Sequence, residues 1–167
     1  MLNNVKSEFD LYPGMCEWLR TYLLDKFKKK ECKVFVLDCH SAYLDLVLAK
    51  YNVIKYYPQV VGLKIQIDVL GIVIWNDRAE IYFVEAKKTA LNLQNLGQLF
   101  IYCKLCNPEE AYLLSSGGLG SLKKVLNNLN REDLLDYGSE KRIKKIRVAR
   151  WDIIKNGIDN HSIVPKI

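Results

Sequence analysis

Histidine is scarce: His40 and His161 are the only two in 167 residues. That disfavours a zinc enzyme whose metal rests on several imidazoles. No apolar run reaches the roughly 18 residues of a membrane-spanning helix; the longest, around residues 69–75, has the length of a strand. The opening MLNNVKSEFD lacks the apolar stretch of a secretory leader, so a cytoplasmic, intracellular location is expected. Prolines number four and glycines nine, and no Pro/Gly-rich linker, low-complexity tract or repeat divides the chain. A single domain over residues 1–167 is therefore expected. Five cysteines are an odd count for a disulfide framework and read as reduced thiols. Cys103 and Cys106 form a CxxC within a helical pattern, with no second CxxC to complete a four-ligand metal site.

What is present suits a packed domain: half of the residues are hydrophobic and 26% are charged, which excludes a disordered chain. Lys and Arg total 25 against 19 Asp and Glu, a net charge of +6. The excess is uneven. Residues 141–155 carry Lys141, Arg142, Lys144, Lys145, Arg147, Arg150 and Lys155 against one acid, Asp152. Such clustering is the footprint of binding to a phosphate backbone, or alternatively a solvated basic face. Lys123 and Lys124 follow the turn SSGGLGS, whose backbone amides can approach a phosphate closely. The turn lacks the Lys-Ser/Thr ending of a nucleotide-binding P-loop.

Periodicity predicts a helix starting near Pro13, where proline suits the first turn. Trp18, Leu19, Tyr22, Leu23 and Phe27 recur at helical spacing, and Lys28, Lys29 and Lys30 close the helix. Residues 34–37 read as a strand, 42–50 as a helix and 51–62 as ambiguous. The run 63–75 (LKIQIDVLGIVIW) reads as one long strand, apolar on both faces. Asn76, Asp77 and Arg78 form a turn, and 79–89 (AEIYFVEAKKT) form the return strand of a β-hairpin. Residues 90–106 follow as a helix that Gly97 weakens. Then come a buried strand at 111–115, a helix at 121–130 and a late strand at 146–151. The expected fold class is α/β, a mixed sheet flanked by helices.

Charges inside apolar strands are costly unless compensated, and two acids break the hairpin's strands. Asp68 lies between Ile67 and Val69, and Glu85 follows Ile81-Tyr82-Phe83-Val84. Strand alternation puts Glu85 and Lys87 on one face and Ala86 and Lys88 on the other. Two adjacent carboxylates repel unless a cation lies between them, and Mg²⁺ favours oxygen ligands of this kind. A neighbouring lysine can orient a water or stabilise charge developing on a phosphate. The competing explanation is an acid–lysine ion pair with a purely structural role. Asp38, His40 and Ser41 lie close in sequence, but proximity along a chain is not the geometry of a catalytic triad.

IQIDVLGIVIW, a turn, IYFVEAKKT and a following helix resemble the PD-(D/E)xK nuclease superfamily of restriction endonucleases, Holliday-junction resolvases and RecB-like nucleases. The resemblance covers residues 8–116, most closely 64–116, with Ile67 where the usual proline stands. It implies a restriction-endonuclease-like core with an α-β-β-β-α-β order. It also implies metal-dependent hydrolysis of phosphodiester bonds in DNA, with restriction, repair or recombination as the setting and a possible homodimer as the assembly. The implied cofactor is Mg²⁺ or Mn²⁺ on Asp68, Glu85 and the Ala86 carbonyl, with Lys87 as the catalytic lysine. Gln98 and Tyr102, on one helix face, resemble the QxxxY element of the RecB-like branch, with Gln98 beside the metal site and Tyr102 toward nucleic acid. SEFDLYPGMCEWL resembles the acid-x-x-LYP opening of some compact members, which implies a further acid at the metal: Glu8 first, with Asp10 and Glu17 as alternatives. Lys123, Lys124, Lys144, Lys145 and Arg147 are the expected phosphate contacts. The alternatives are a catalytically silent nucleic-acid-binding module of the same fold, and an unrelated α/β interaction protein.

Overall fold

The structure, a computed structural model, describes residues 5–166. In chain order the elements are α1 (Tyr12–Lys26), β1 (Lys33–Asp38), α2 (Leu44–Lys50), β2 (Val69–Ile74), β3 (Ala79–Lys87) and α3 (Leu93–Cys106). They continue with β4 (Glu110–Ser115), α4 (Ser121–Lys123), β5 (Asp136–Ser139), β6 (Arg142–Lys145), β7 (Arg147–Asp152) and β8 (Gly157–Ile158). Six strands form one sheet in the order β1-β2-β3-β4-β7-β8, and β5 pairs with β6 separately. The β1–β2, β2–β3 and β7–β8 pairs are antiparallel, while β3–β4 and β4–β7 are parallel. The fold is thus α/β, a mixed sheet flanked by helices. Among the described residues no helix is long and apolar enough to cross a membrane.

The central strands are apolar on both faces because both faces are covered. Leu70, Ile72, Ile81, Phe83, Leu113 and Val148 pack with residues of α2 and α3. Val69, Val73, Tyr82, Val84, Leu114 and Ala149 pack with α1. α1 buries Tyr12, Met15, Leu19 and Leu23, the spacing of one helical face. Pro13 occupies its first turn, where a missing N–H is harmless. α3 starts at the Asn92 cap, whose side chain accepts from Asn95 N.

Several boundaries differ from those expected, each for a physical reason. Residues 63–68 are not strand. Ile65 and Ile67 are buried while Lys64 and Gln66 are exposed, so the period-2 pattern is real. But Lys64 has a positive φ of 54°, and the segment bonds elsewhere: Ile65 O accepts from Leu44 N and Asp68 O from Cys39 N. The ambiguous stretch 51–62 forms two 3-10 turns, Ile54–Tyr56 and Pro58–Val60. The helix expected over 121–130 is α4 followed by a π-helical turn, Lys124–Asn128. The basic stretch begins with β6, the second strand of the β5–β6 hairpin, which has too few apolar residues to stand out as a strand signal.

Gly71, in the middle of β2, sets how closely α1 sits on the sheet. A Cβ there would lie 2.9 Å from Leu23 Cδ1, 3.1 Å from Leu19 Cδ2 and 3.1 Å from Tyr82 Cβ. All three neighbours are fully buried, so none can swing away freely. Gly71→Ala is expected to destabilise the fold by about 1–3 kcal/mol through overpacking, read as a lower midpoint in urea unfolding. An unchanged midpoint would mean that α1 can lift from β2 at no cost.

Candidate functional site

The carboxyl ends of β1, β3, β4 and β7 meet the start of β2 at one end of the sheet. Open α/β sheets commonly bind ligands at such an end. The last β2–β3 pair is Val69 with Val84, so one further step of the register sets Asp68 opposite Glu85. Alternation turns Glu85, like Ile81 and Phe83, toward the face that carries α3, whereas Asp68, just outside the ladder, reaches Tyr12 of α1. Where the ladder stops, the Asp68 carboxylate takes over: its Oδ2 accepts from Ala86 N at 2.8 Å. Its Oδ1 accepts from the Tyr12 hydroxyl at 2.9 Å.

Glu85 is only 4% exposed. Its Oε1 lies 3.4 Å from Lys87 Nζ, while the same ammonium lies 3.8 Å from Glu8 Oε2. Lys87 therefore stands between two glutamates, one from β3 and one from the 3-10 turn Glu8–Leu11 that leads into α1. Burial, reinforced by the Asp68 charge, pushes the Glu85 carboxyl up to about 8, although Lys87 pulls the other way. Burial works against the Lys87 charge, but Glu85, Glu8 and Asp68 outweigh it and the ammonium is stabilised.

Glu85 Oε2 and Glu8 Oε2 are both buried without a hydrogen-bond partner. Orphaned carboxylate oxygens beside a second acid are what a hard cation would satisfy, so this donor set fits Mg²⁺ or Mn²⁺. Among the described residues no group of three or more His, Cys, Asp or Glu side chains is arranged to hold a metal by itself. A centre here would thus rest on two carboxylates, the Ala86 carbonyl and water, a composition Mg²⁺ accepts.

Of the three N-terminal acids, Glu8 is the one that reaches Lys87. Asp10 accepts from the backbone N–H groups of Lys6 and Ser7, and those bonds hold its carboxyl below the usual range. Glu17 pairs with Arg20. Tyr12 is an addition that sequence spacing did not single out, and His40, noted beside Asp38 in the sequence, stands next to it. The Tyr12 ring lies 5.1 Å from that of His40 and 5.7 Å from that of Phe9. His40 is held by Asp38. Tyr12 stands in the LYP segment, but nothing local announces a hydrogen bond to a residue 56 positions away.

Among the described residues no hydrogen bond or ion pair joins the other expected site residues to the acid pair. Gln98, on α3, is exposed and, among the described residues, makes no side-chain hydrogen bond. Tyr102 is half-buried against the core. Lys144 and Lys145 lie before β7 and Arg147 begins it, two strands across the sheet from β3, and their charges are already matched. Lys144 Nζ donates to Asn107 Oδ1 at 3.1 Å and to Pro108 O at 3.0 Å, and lies 3.5 Å from Glu109. Lys145 pairs with Asp136 and Arg142 with Glu109. Arg147 donates to Tyr112 Oη at 2.7 Å and lies 3.5 Å from Glu110. A run of basic residues in sequence is thus dispersed onto acids and helix-terminal carbonyls in space. Lys123 and Lys124 are exposed, and Lys123 lines a pocket described below. All five cysteines are free; burial pushes Cys39 and Cys106 up to about 12, which leaves them as thiols.

Two outcomes follow. Lys144→Ala is expected to lower stability by about 1–3 kcal/mol, because charged hydrogen bonds at the end of α3 are lost. A denaturation midpoint equal to the parent's would show those bonds to be idle. Glu85 binds its proton more tightly folded than unfolded, so its contribution to stability is lost as pH rises from the usual carboxylate range to about 8. Glu85→Gln in EDTA should therefore melt above the parent at pH 8, with the gap closing near about pH 4. Parallel melting profiles across that range would contradict a buried, proton-binding Glu85. No family model, curated protein or solved structure matches the chain.

Proposed function

We propose that the chain is a metal-dependent nuclease of the PD-(D/E)xK superfamily that hydrolyses phosphodiester bonds in DNA. In this reading α1, β1, β2, β3, α3 and β4 form the restriction-endonuclease-like core, with α2 inserted between β1 and β2. One observation carries the proposal. The Asp68 carboxylate, just before β2, stands beside Glu85 of β3, which is buried with an unsatisfied oxygen, and a lysine follows two residues along that strand. A fold gains nothing in stability from a buried acid next to another acid, and perturbed groups of this kind mark functional sites.

Asp68, Glu85 and the Ala86 carbonyl would hold Mg²⁺ or Mn²⁺, with Glu8 at its edge. When bound, the ion supplies charge neutralisation at the phosphate and a more acidic water. Tyr12 and the Ala86 N–H fix the Asp68 carboxylate by one hydrogen bond to each oxygen. Glu85, whose carboxyl burial pushes up to about 8, would have to give up its proton to serve as a ligand, so metal affinity would rise with pH. Lys87, 3.4 Å from Glu85 Oε1, would orient the attacking water and stabilise negative charge on the phosphate. A second copy of the chain would present a second site to the opposite strand.

The rival reading is an interaction protein in which Glu8, Lys87 and Glu85 form a closed ion-pair cluster, and the two Lys87 contacts are what favours it. Circular single- and double-stranded DNA incubated with Mg²⁺ or Mn²⁺, and then with EDTA, separates the two. The expected result is metal-dependent cutting that falls by about 10²-fold or more in Asp68→Ala, Glu85→Ala and Lys87→Ala. Cutting that persists in all three variants would overturn the site, and absence of cutting by the folded parent would favour the rival.

A further inference from the structure

Beside the acid pair lies a pocket of about 230 Å³ whose lining includes Gly118, Gly120, Lys123, Arg150, His161 and Lys166, and no Asp or Glu. That is space for roughly seven waters, enough for a phosphate and part of its sugar. Its cations differ from those of the 142–147 stretch. Among the described residues, Lys123 and Arg150 have no ion-pair partner and no side-chain hydrogen bond, while Lys166 Nζ donates only to a carbonyl, His161 O, at 2.7 Å. Asp152, the acid that feels Arg150, is turned instead to the backbone N–H groups of Ile154 and Lys155. Unpaired cations around a concave, acid-free space hold a standing positive potential.

The pocket is tied to the acid pair by the sheet itself. Lys87 pairs with Ser115, and Ser115 with Arg150. The three residues lie on one rung and, by strand alternation, on one face. Two strand spacings separate Lys87 from Arg150, about 10 Å. The pocket's wall is also fastened to the segment that follows Lys87. Ser116 N donates to Lys87 O at 3.1 Å, and Leu91 N to Gly118 O at 3.0 Å. A Cβ at Gly117 would lie 2.5 Å from Ala90 N, and one at Gly120 2.4 Å from Leu91 O, so only glycine permits this approach.

We infer that this pocket is a subsite for a second, uncleaved backbone phosphate of the bound nucleic-acid strand, within about three nucleotides of the scissile bond at the axial spacing of a B-form strand. The inference rests on the nuclease reading for the identity of the strand. It adds that the substrate must extend past the scissile bond toward β7, and that Arg150 and Lys123, rather than the 142–147 cations, hold it.

The test keeps the two readings apart. Inorganic phosphate is titrated into the Asp68→Ala protein, which has no complete acid pair, and backbone amide shifts are followed by NMR. In parallel, anisotropy measures the binding of labelled single-stranded oligonucleotides in EDTA. Shifts at Gly118 and Gly120 are expected, and they should vanish in Lys123→Gln/Arg150→Gln. The same double variant should weaken oligonucleotide binding by about tenfold and flatten the dependence of log K on log salt by about 0.7, the value for one phosphate on a single strand. No amide shift, or a salt slope equal to the parent's, would overturn the subsite. So would phosphate shifts with unchanged oligonucleotide binding, which indicate an adventitious anion only. Loss of DNA cutting in the parent with these binding results intact would remove the nuclease reading and leave a binding subsite.

Discussion

The burial of Glu85 beside Asp68 is the constraint to which the surrounding elements answer. A carboxylate almost out of water next to a second one is unstable by itself. The protein manages this locally: the Ala86 N–H and the Tyr12 hydroxyl take up the Asp68 charge. Lys87 stands between Glu85 and Glu8, and the Glu85 carboxyl retains its proton into the alkaline range. These devices come from β3, from α1 and from the turn before α1. A cluster so composed has a definite shape, and preorganisation of this kind gives fixed charges their effect.

The hairpin was the most legible part of the chain. Its two apolar runs around Asn76-Asp77-Arg78 produced β2 and β3, and the acids interrupting those runs were visible because charge in an apolar strand demands a reason. Residues 63–68 misled because alternation records which side chains are buried, not whether a neighbouring strand supplies hydrogen bonds. Ile65 and Ile67 are buried in either case. Choosing among Glu8, Asp10 and Glu17 required tertiary structure: one faces Lys87, one caps a turn and one meets Arg20, and nothing in their local sequence separates these fates.

The basic segment was the least legible. A count of Lys and Arg over 141–155 cannot register that Asp136, Glu109 and Glu110 lie across from Lys145, Lys144 and Arg147. Net charge in sequence is a poor guide to potential in space when the neutralising partners come from other elements. The residues left unmatched, Lys123 and Arg150, stand 27 positions apart in the sequence and share a pocket only because β7 lies beside β4. Gln98 shows the converse: its helical spacing to Tyr102 is real, yet its side chain faces solvent.

The hydrogen bond from Tyr12 to Asp68 spans 56 residues, and that from Lys88 Nζ to Lys6 O spans 82. The β2–β3 hairpin, by contrast, closes over the four residues between Ile74 and Ala79. Local contacts of that kind form early in folding, while long loops are expensive to close and close late. A chain emerging from the ribosome therefore carries its two strand carboxylates well before their orienting tyrosine and third acid have docked. The cluster matures only with the last tertiary contacts, so its completeness serves as a built-in report on whether α1 has settled onto the sheet.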